Sequence, residues 1–369
     1  MAARRPLTGE KLYAPFKLAA LVETLREQGI AAEECLRGTG VRAEDLTDPT
    51  VRTSVRQYAQ ACRNALRLSA DASTPFRVGS RLHLYAYGMY GYALMSGLSL
   101  RDYFRLGVKY HLLAAPMLTI EWREFPDAAM WTFPDEFTFA PSAELRRFLI
   151  EQQYTQQVIH LQDVAGHDVR PLKACFSYPA PPHAAIYEDY LCCRCVFDQS
   201  RSELHYDRAI LDERPPLAHP LTSAMFQETC EGLIDKARAS AGLSGQIYEI
   251  LIRRPGHFPG MEDVARTLNM TSRTLRRRLK EEELSFSEIL DDVYRSLAVE
   301  YLKTTHMSVD DIGMLVGFND VANFRKAFRR WTGQTPSEIR RETAREWTSP
   351  VRFSRRTPES EAVRGLSSD

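Results

Sequence analysis

Apolar residues in the last third of the chain recur at helical spacing, and the same arrangement occurs twice. In the first copy, residues 262–280, Val264 and Leu268 lie on one face of a predicted helix. Residues 269–271 (Asn-Met-Thr) predict a tight turn, and a second amphipathic helix follows it. The second copy, residues 309–331, repeats this order. Each copy is therefore predicted to fold as a helix-turn-helix.

The second helix of the first copy separates apolar from basic side chains. Leu275 and Leu279 are four residues apart and define its buried side, with Thr271 or Ser272 as its cap. The side chains predicted to face outward or to flank the leucines are Arg273, Thr274, Arg276, Arg277, Arg278 and Lys280.

These outward positions divide between two kinds of DNA contact. Arg273 and Arg277 point most directly away from the leucines, and arginine can make two hydrogen bonds to one guanine. Flanking cations such as Lys280 are better placed to contact phosphates, which carry no sequence information. The first copy is therefore predicted both to read bases and to hold the DNA backbone.

The second copy uses aromatic residues for its buried side. Ser308 is the predicted N-cap of its first helix, and Gly317 is suitably placed for a left-handed turn. Phe324, Phe328 and Trp331 recur at helical spacing in its second helix. The outward positions predicted to contact DNA are Ala322, Asn323, Arg325, Lys326 and Arg329. Because the first exposed turn offers only valine and alanine, this copy is expected to hold DNA more than to read it.

Between the copies, residues 286–304 are apolar at helical intervals and predict one continuous helix. Nearly twenty helical residues span about 30 Å. That length is close to the ~34 Å that separates successive major-groove faces on one side of B-DNA. One chain is therefore expected to touch two adjacent grooves.

The first two-thirds of the chain mixes helical and strand periods. The predicted helices lie within residues 12–70 and at 88–95, 100–113 and 143–161. The predicted strands are 118–125 and 129–133, which form a hairpin around a Pro-Asp turn, with 173–178 and 203–206. This part is predicted to be an α+β domain with helices and a small mixed sheet, joined to an all-α domain with two helix-turn-helix units.

Composition limits the possible classes of protein. The 369 residues are enough for two or three domains, and the 48 basic and 48 acidic residues give a formal net charge of zero. The chain as a whole is therefore not a basic nucleic-acid binder. A single basic amphipathic helix is usually a solvated surface, but two such helices, each after a correctly spaced helix and turn, favour DNA binding.

The compartment is also predicted from composition. No apolar run approaches the ~18 residues of a membrane span, and the first residues lack the apolar core of a secretory signal. Seven scattered cysteines suit free thiols in a reducing compartment. A cytoplasmic protein without a membrane partner is expected.

Residues 245–342 resemble the DNA-binding domain of the AraC/XylS family of bacterial transcription regulators. The most specific stretches are 311–328 (DIGMLVGFNDVANFRKAF) and 331–336 (WTGQTP). Two positions depart from the family pattern. Gly313 replaces the usual small helix former, at a cost of about 1 kcal/mol of helix stability, and Asn323 stands where serine is common.

Residues 16–215 resemble, more loosely, the arabinose-binding type of N-terminal effector domain found in the same family. The similarity is carried by segments near 87–102, 176–190 and 197–217. It implies a small organic effector, which need not be arabinose, and a homodimer formed through this domain. The partners implied for the whole chain are double-stranded promoter DNA and RNA polymerase, with activation of transcription and with no cofactor.

Aromatic residues of the predicted hairpin are candidates for the effector site. Trp122, Trp131 and Phe133 alternate along its strands, and a mixed sheet covered by helices often encloses a small ligand. The alternative interpretation is that each side chain belongs to the core of the sheet. The hypothesis places the effector between the hairpin and the helices within residues 88–113.

A group of cysteines suggests a different function. Cys192, Cys193 and Cys195 need a fourth ligand to form a zinc site, which Cys175 or His205 supplies only if the fold brings it near. Otherwise they are small buried residues. Some DNA-repair sensors join this DNA-binding domain to a zinc-bound cysteine that accepts alkyl groups, but their paired-cysteine spacing is absent here. No known catalytic motif occurs either, so neither a metal ligand nor a catalytic residue is predicted.

The predicted organisation is an effector-binding and dimerisation domain, a linker, a DNA-binding domain and a disordered tail, at 1–235, 236–245, 246–347 and 348–369. The predicted function is sequence-specific regulation of transcription, as an activator controlled by an effector, and not an enzymatic activity. Two alternatives remain open: a ligand-independent architectural DNA binder and a cysteine-based alkylation sensor.

Overall fold

The computed structural model describes residues 10–134, 137, 141–239, 242–252, 256, 258–282, 284–305, 307–318, 320–332 and 334–341. Within them, an N-terminal region combines helices with one sheet, and the C-terminal region is helical. The predicted fold class is therefore confirmed. The predicted disordered tail, 348–369, lies outside the described residues.

Helices make up most of both regions. Those of the N-terminal region are α1 (Phe16–Arg26), α2 (Ala32–Cys35), α3 (Val55–Leu68), α4 (Thr74–Arg81), α5 (Met89–Met95), α6 (Leu100–Lys109), α7 (Ala143–Ala165), α8 (Ile186–Leu191) and α9 (Pro220–Ala239). Short 3-10 helices lie at Ala43–Thr47, Leu84–Tyr87, His111–Ala114 and Arg208–Asp212. The C-terminal helices are α10 (Gly242–Ile252), α11 (Met261–Thr267), α12 (Ser272–Glu281), α13 (Phe286–Thr304), α14 (Val309–Leu315) and α15 (Val321–Thr332).

The sheet has five strands in the order β1-β2-β5-β3-β4. They are β1 (Glu121–Glu124), β2 (Ala128–Phe133), β3 (Lys173–Cys175), β4 (Arg194–Val196) and β5 (Ser202–Asp207). The hairpin of β1 and β2 was predicted and is confirmed. Strand β4, which pairs parallel to β3 after the crossover through α8, was not predicted. Three residues are too few to show a period.

Local signals fix several helix ends. Helix α3 begins at a capping box, in which Ser54 Oγ accepts a hydrogen bond from the Gln57 amide and Gln57 Oε1 accepts one from the Ser54 amide. The predicted helix 100–113 is instead divided, since α6 ends at Lys109 and a 3-10 helix follows. Helix α7 extends past its predicted end to Gly166, whose φ of 74° ends the helix in a left-handed turn.

Helix α7 runs through the centre of the N-terminal region, and its middle, residues 148–158, is buried on every side, including a run of polar residues. Two of those polar residues accept hydrogen bonds from core tyrosines. Tyr58 donates to Gln152 Oε1 at 2.6 Å, and Tyr103 donates to Gln157 Oε1 at 2.6 Å. Gly79 lets α4 pack against this helix, because a Cβ there would lie 2.5 Å from the Gln152 carbonyl oxygen. A polar helix is thus held inside the core.

The predicted linker, residues 236–245, is helical wherever it is described. Helix α9 continues to Ala239 and α10 begins at Gly242. Alternating alanines from position 237 to position 241 favour a helix over an extended linker. The domain boundary placed there stays a prediction.

The C-terminal region has two hydrophobic cores that share α13. Phe286, Ile289 and Val293 belong to the core that includes α11 and α12. Ala298 and Leu302, on the second half of the same helix, belong to the core that includes α14 and α15. Among the described residues, no helix is both long and apolar enough to cross a membrane.

A lysine is buried in the N-terminal core. Lys17 on α1 is 5% exposed, and its Nζ donates to the Ala115 carbonyl oxygen at 2.9 Å. The same nitrogen lies 6.0 Å from the centre of the Tyr58 ring. Burial disfavours the charged form and lowers the pKa of Lys17 to about 7.

We predict that this amine makes stability depend on pH. Between about pH 7 and pH 10 an unfolded lysine keeps a proton that the folded chain has lost, so the free energy of unfolding rises with pH in that range. In Lys17→Met this contribution is absent. Denaturant titrations at pH 6, 7.5 and 9 should show that the stability of the wild type rises relative to that of the variant. If the free energy of unfolding changed equally with pH in the two proteins, the result would contradict the prediction.

Candidate nucleic-acid interface

The first helix-turn-helix consists of α11 and α12. Asn269 has a φ of 54°, which reverses the chain between the two helices, and the Met270 amide donates to the Ala265 carbonyl oxygen at 2.9 Å. Thr271 caps α12, since its Oγ1 accepts from the Thr274 amide at 3.1 Å. The predicted turn is confirmed, and of the two predicted caps Thr271 is the one used.

Helix α12 presents the predicted basic surface to solvent. Its leucines at 275 and 279 are buried against the rest of the unit. The exposed side chains are Arg273, Arg276, Arg277, Arg278 and Lys280, while Thr274 is half-buried.

Two of these arginines contact neighbouring side chains. Arg277 Nη1 lies 2.8 Å from Glu281 Oε1, and Arg276 Nη2 lies 3.7 Å from the Met261 sulfur. An exposed ion pair between residues four positions apart on a helix contributes about 0.3–0.5 kcal/mol to stability. Arg277 can therefore exchange Glu281 for a base at little cost.

The second helix-turn-helix consists of α14 and α15. Ser308 Oγ accepts from the Asp311 amide at 3.0 Å, and Asp311 Oδ2 accepts from the Ser308 amide at 3.2 Å, which completes a capping box. Gly317 has a φ of 90°, as predicted from its position.

The structure gives a physical reason for the unusual Gly313. A Cβ at this position would lie 3.1 Å from two ring carbons of Phe324. Phe324 is fully buried in the second core. The glycine therefore allows α14 and α15 to approach closely, which compensates for its low helix propensity.

Helix α15 also has a buried aromatic side and an exposed polar side. Phe324 and Phe328 are fully buried, and Trp331 is 7% exposed. The predicted contact residues are all exposed: Ala322, Asn323, Arg325, Lys326 and Arg329. Arg325 is paired with Asp310 of α14 at 3.3 Å.

Helix α13 joins the two units and has the predicted bounds, Phe286–Thr304. Its 19 residues correspond to a length of about 28 Å. Arg330 of α15 lies 3.1 Å from Asp291 of α13, which ties the second unit to this helix. Two basic helices are thus fixed to one rod of nearly the length of a turn of DNA.

One contact between the two regions was not predicted from sequence. Arg56 Nη2, at the start of α3, lies 2.7 Å from Glu288 Oε1, at the start of α13. Ser285 and Glu288 have the spacing of a capping box, which the sequence shows, but no local pattern indicates a partner 232 residues away. The N-terminal region therefore contacts the helix that joins the two DNA-binding units.

The aromatic residues proposed for effector binding lie in and beside the sheet core. Trp131 is 1% exposed and its ring centre is 5.0 Å from that of Phe104. Phe133 is 3% exposed and packs on Tyr154, while Trp122 is half-buried and stacks on Phe104. A Cβ at position 107 would lie only 3.0 Å from the Trp131 ring, so the space beside this indole is filled. These contacts are those of core residues, and effector binding at these residues stays a prediction.

The cysteine group lies at the end of α8 and in β4. Cys192 is exposed, and Cys195 Sγ lies 3.6 Å from the Cys193 carbonyl oxygen. Cys175 Sγ is 4.0 Å from His205 Nε2 across the sheet. Within the described part of the chain, no three His, Cys, Asp or Glu residues are grouped as a metal site requires.

Family models match both regions. Residues 29–215 match the arabinose-binding domain of AraC transcription regulators, and residues 264–342 match a helix-turn-helix domain. The second match spans both pairs of helices described above. The first model is that of a domain of transcription regulators.

Several similar proteins are transcription regulators. The ornithine utilization regulator of Pseudomonas aeruginosa is 30% identical over 91% of this chain and 99% of its own length. The urease operon transcriptional activator of Escherichia coli is 36% identical over 26% of this chain and 32% of its own length. The crystal structure of the regulator CdpR from Pseudomonas aeruginosa aligns with a TM-score of 0.47 and 20% identity, over 90% of this chain and all of that one. The chain belongs to the AraC family of DNA-binding transcription regulators, with an N-terminal domain of the arabinose-binding type.

Proposed function

We propose that the chain is a sequence-specific transcription activator whose promoter binding is controlled by a small molecule bound in the N-terminal region. The observation that carries this proposal is the ion pair between Arg56 and Glu288, which links the two regions at the helix shared by both DNA-binding units. An effector acts only if it favours one arrangement of the two regions over another. A direct contact between the two regions can be present in one arrangement and absent in another.

A second contact between the regions lies in a buried position. Ser244 of α10 is 1% exposed and its Oγ donates to Glu10 Oε1 at 2.8 Å. Helix α10 packs on the first half of α13. Movement in the N-terminal region is therefore expected to reach α13 from two sides.

The names of relatives support the finer parts of the proposal. The urease operon protein is an activator, which favours activation, with RNA polymerase as a further partner. The ornithine utilization regulator makes ornithine the first molecule to test as an effector of this chain. Dimerisation through the N-terminal region would let two chains bind paired half-sites on one promoter.

The direct experiment is a promoter-binding titration of the full chain with and without candidate effectors. A thermal-shift screen of metabolites selects candidates, and footprinting then locates the operator. Effector-dependent occupancy of one promoter supports the proposal. If the protein bent DNA and its DNA binding did not respond to any small molecule that it binds, the result would instead favour the architectural alternative.

We predict different effects for two exposed cations of α12. Arg277→Ala should relax base preference at one operator position by about 1–3 kcal/mol, because the bidentate contact to a base is lost. Lys280→Ala should weaken binding to all sequences alike and reduce the slope of log affinity against log salt by about 1. Titrations across single-base operator variants at several salt concentrations separate the two. The same behaviour in both variants would refute this division.

We predict that the contact between the regions restrains the ligand-free state. Arg56→Ala removes an exposed ion pair worth about 0.2–1 kcal/mol. Promoter affinity of the ligand-free protein should therefore shift about 1.5- to 5-fold in the direction that the effector shifts it. Arg67→Ala, an exposed arginine in the last turn of the same helix, is the matched control. If promoter affinity shifted equally in both variants, or shifted in neither, the result would argue against a role for the contact.

A further inference from the structure

A cavity of about 170 Å³ lies away from the predicted effector residues, between the end of α3, the start of α4 and the first half of α7. Apolar side chains of Leu66 and Phe148 line part of its wall. Its polar lining includes Arg147, Glu151 and His183. A volume of this size holds about six waters at ~30 Å³ each and is smaller than a site for a drug-sized ligand. The space suits a compact metabolite.

A buried carboxylate is the central polar group of this cavity. The Glu151 side chain is 3% exposed, and its Oε1 accepts hydrogen bonds from the Tyr187 hydroxyl and, at 3.0 Å, from His183 Nε2. Arg147 Nε is 3.9 Å from the same oxygen. A buried carboxylate is costly unless it is paired and hydrogen-bonded, and these donors fix its position. A carboxylate held this way is preorganised to receive a cation.

The charges of the wall favour an ammonium group. The lining residues include two glutamates, Glu144 and Glu151, and one arginine, Arg147. Asp71 also lines the cavity, but its Oδ2 is 3.0 Å from Arg77, which neutralises it. By the formal charges of these carboxylates and arginines, one carboxylate is in excess. A ligand that carries two ammonium groups and one carboxylate would balance that excess and would place its carboxylate at Arg147.

We propose that this cavity binds a small basic amino acid, with its side-chain ammonium group at Glu151 and its carboxylate at Arg147. This proposal rests on the proposed control by an effector and gives that effector a site and a chemical class. The site differs from the hairpin aromatics, whose rings are packed in and beside the core.

The cavity is connected to the contact between the two regions by one helix. Ala65 and Leu66, near the end of α3, line the cavity, and Arg56, in its first turn, bonds to Glu288 of α13. A helix transmits displacement of one end to the other because its backbone is internally hydrogen-bonded. A ligand that moves the end of α3 therefore acts on a helix whose first turn bonds to α13.

Calorimetry with the full chain tests the proposal. L-lysine should bind to the wild type, whereas L-norleucine, which has the same carbon chain without the side-chain ammonium group, should bind at least about tenfold more weakly. Glu151→Gln keeps the shape and loses the charge, and should weaken lysine binding about 10- to 100-fold. Glu33→Gln, at an exposed position of α2, is the matched control and should bind lysine as the wild type does.

A second variant keeps the test valid if Glu151→Gln does not fold, which thermal unfolding will show. Arg147→Gln changes a partly exposed side chain and should weaken the binding of lysine more than that of 1,5-diaminopentane, which has no carboxylate. Absence of binding of both lysine and ornithine by the wild type, equal binding of norleucine, or unchanged binding of the basic amino acid in folded variants of both residues would overturn the proposal.

The outcomes also separate this proposal from the proposed function. Lysine binding that depends on Glu151 but leaves promoter affinity unchanged would support the site and refute its role in control. Promoter binding that responds to a molecule other than a basic amino acid, in a protein that binds neither lysine nor ornithine, would overturn the site and leave effector control standing.

Discussion

The position of both DNA-binding units depends on one helix that belongs to two hydrophobic cores. Ile289 and Val293 of α13 are buried with the first unit, and Ala298 and Leu302 are buried with the second. Burial of these side chains fixes the rotation of each unit about the helix, because a shift of one residue would turn its apolar face by about 100°. The separation of the basic helices is thus set by packing and not by a flexible connection.

The C-terminal fold was predictable because its signals are local. The caps at Thr271 and Ser308, the left-handed Gly317 and the bounds of α13 each depend on residues a few positions apart. The exposed cations of the interface follow from the same helical period, since a residue opposite a buried leucine must face solvent. Sequence reasoning therefore found both the fold and the candidate site in this region.

The N-terminal region was harder to predict because its determinants are distant in sequence. Strand β2 is buried on both faces, so the alternation of its residues did not separate a core face from a ligand face. Strand β4 gains its pairing from β3 only after a crossover. The cavity beside Glu151 is built from segments near positions 66, 71, 147 and 183, and no spacing within one segment indicates it.

The two carboxylate oxygens of Glu288 have separate tasks. Oε2 accepts hydrogen bonds from the amide and hydroxyl of Ser285 and caps α13, while Oε1 accepts from Arg56. Loss of Arg56 would leave the cap complete, because the cap is made by residues of the C-terminal region alone. At this junction the DNA-binding half therefore does not need the N-terminal region for its local structure. A gene fusion that joined it to a different sensory domain would keep the capped start of α13.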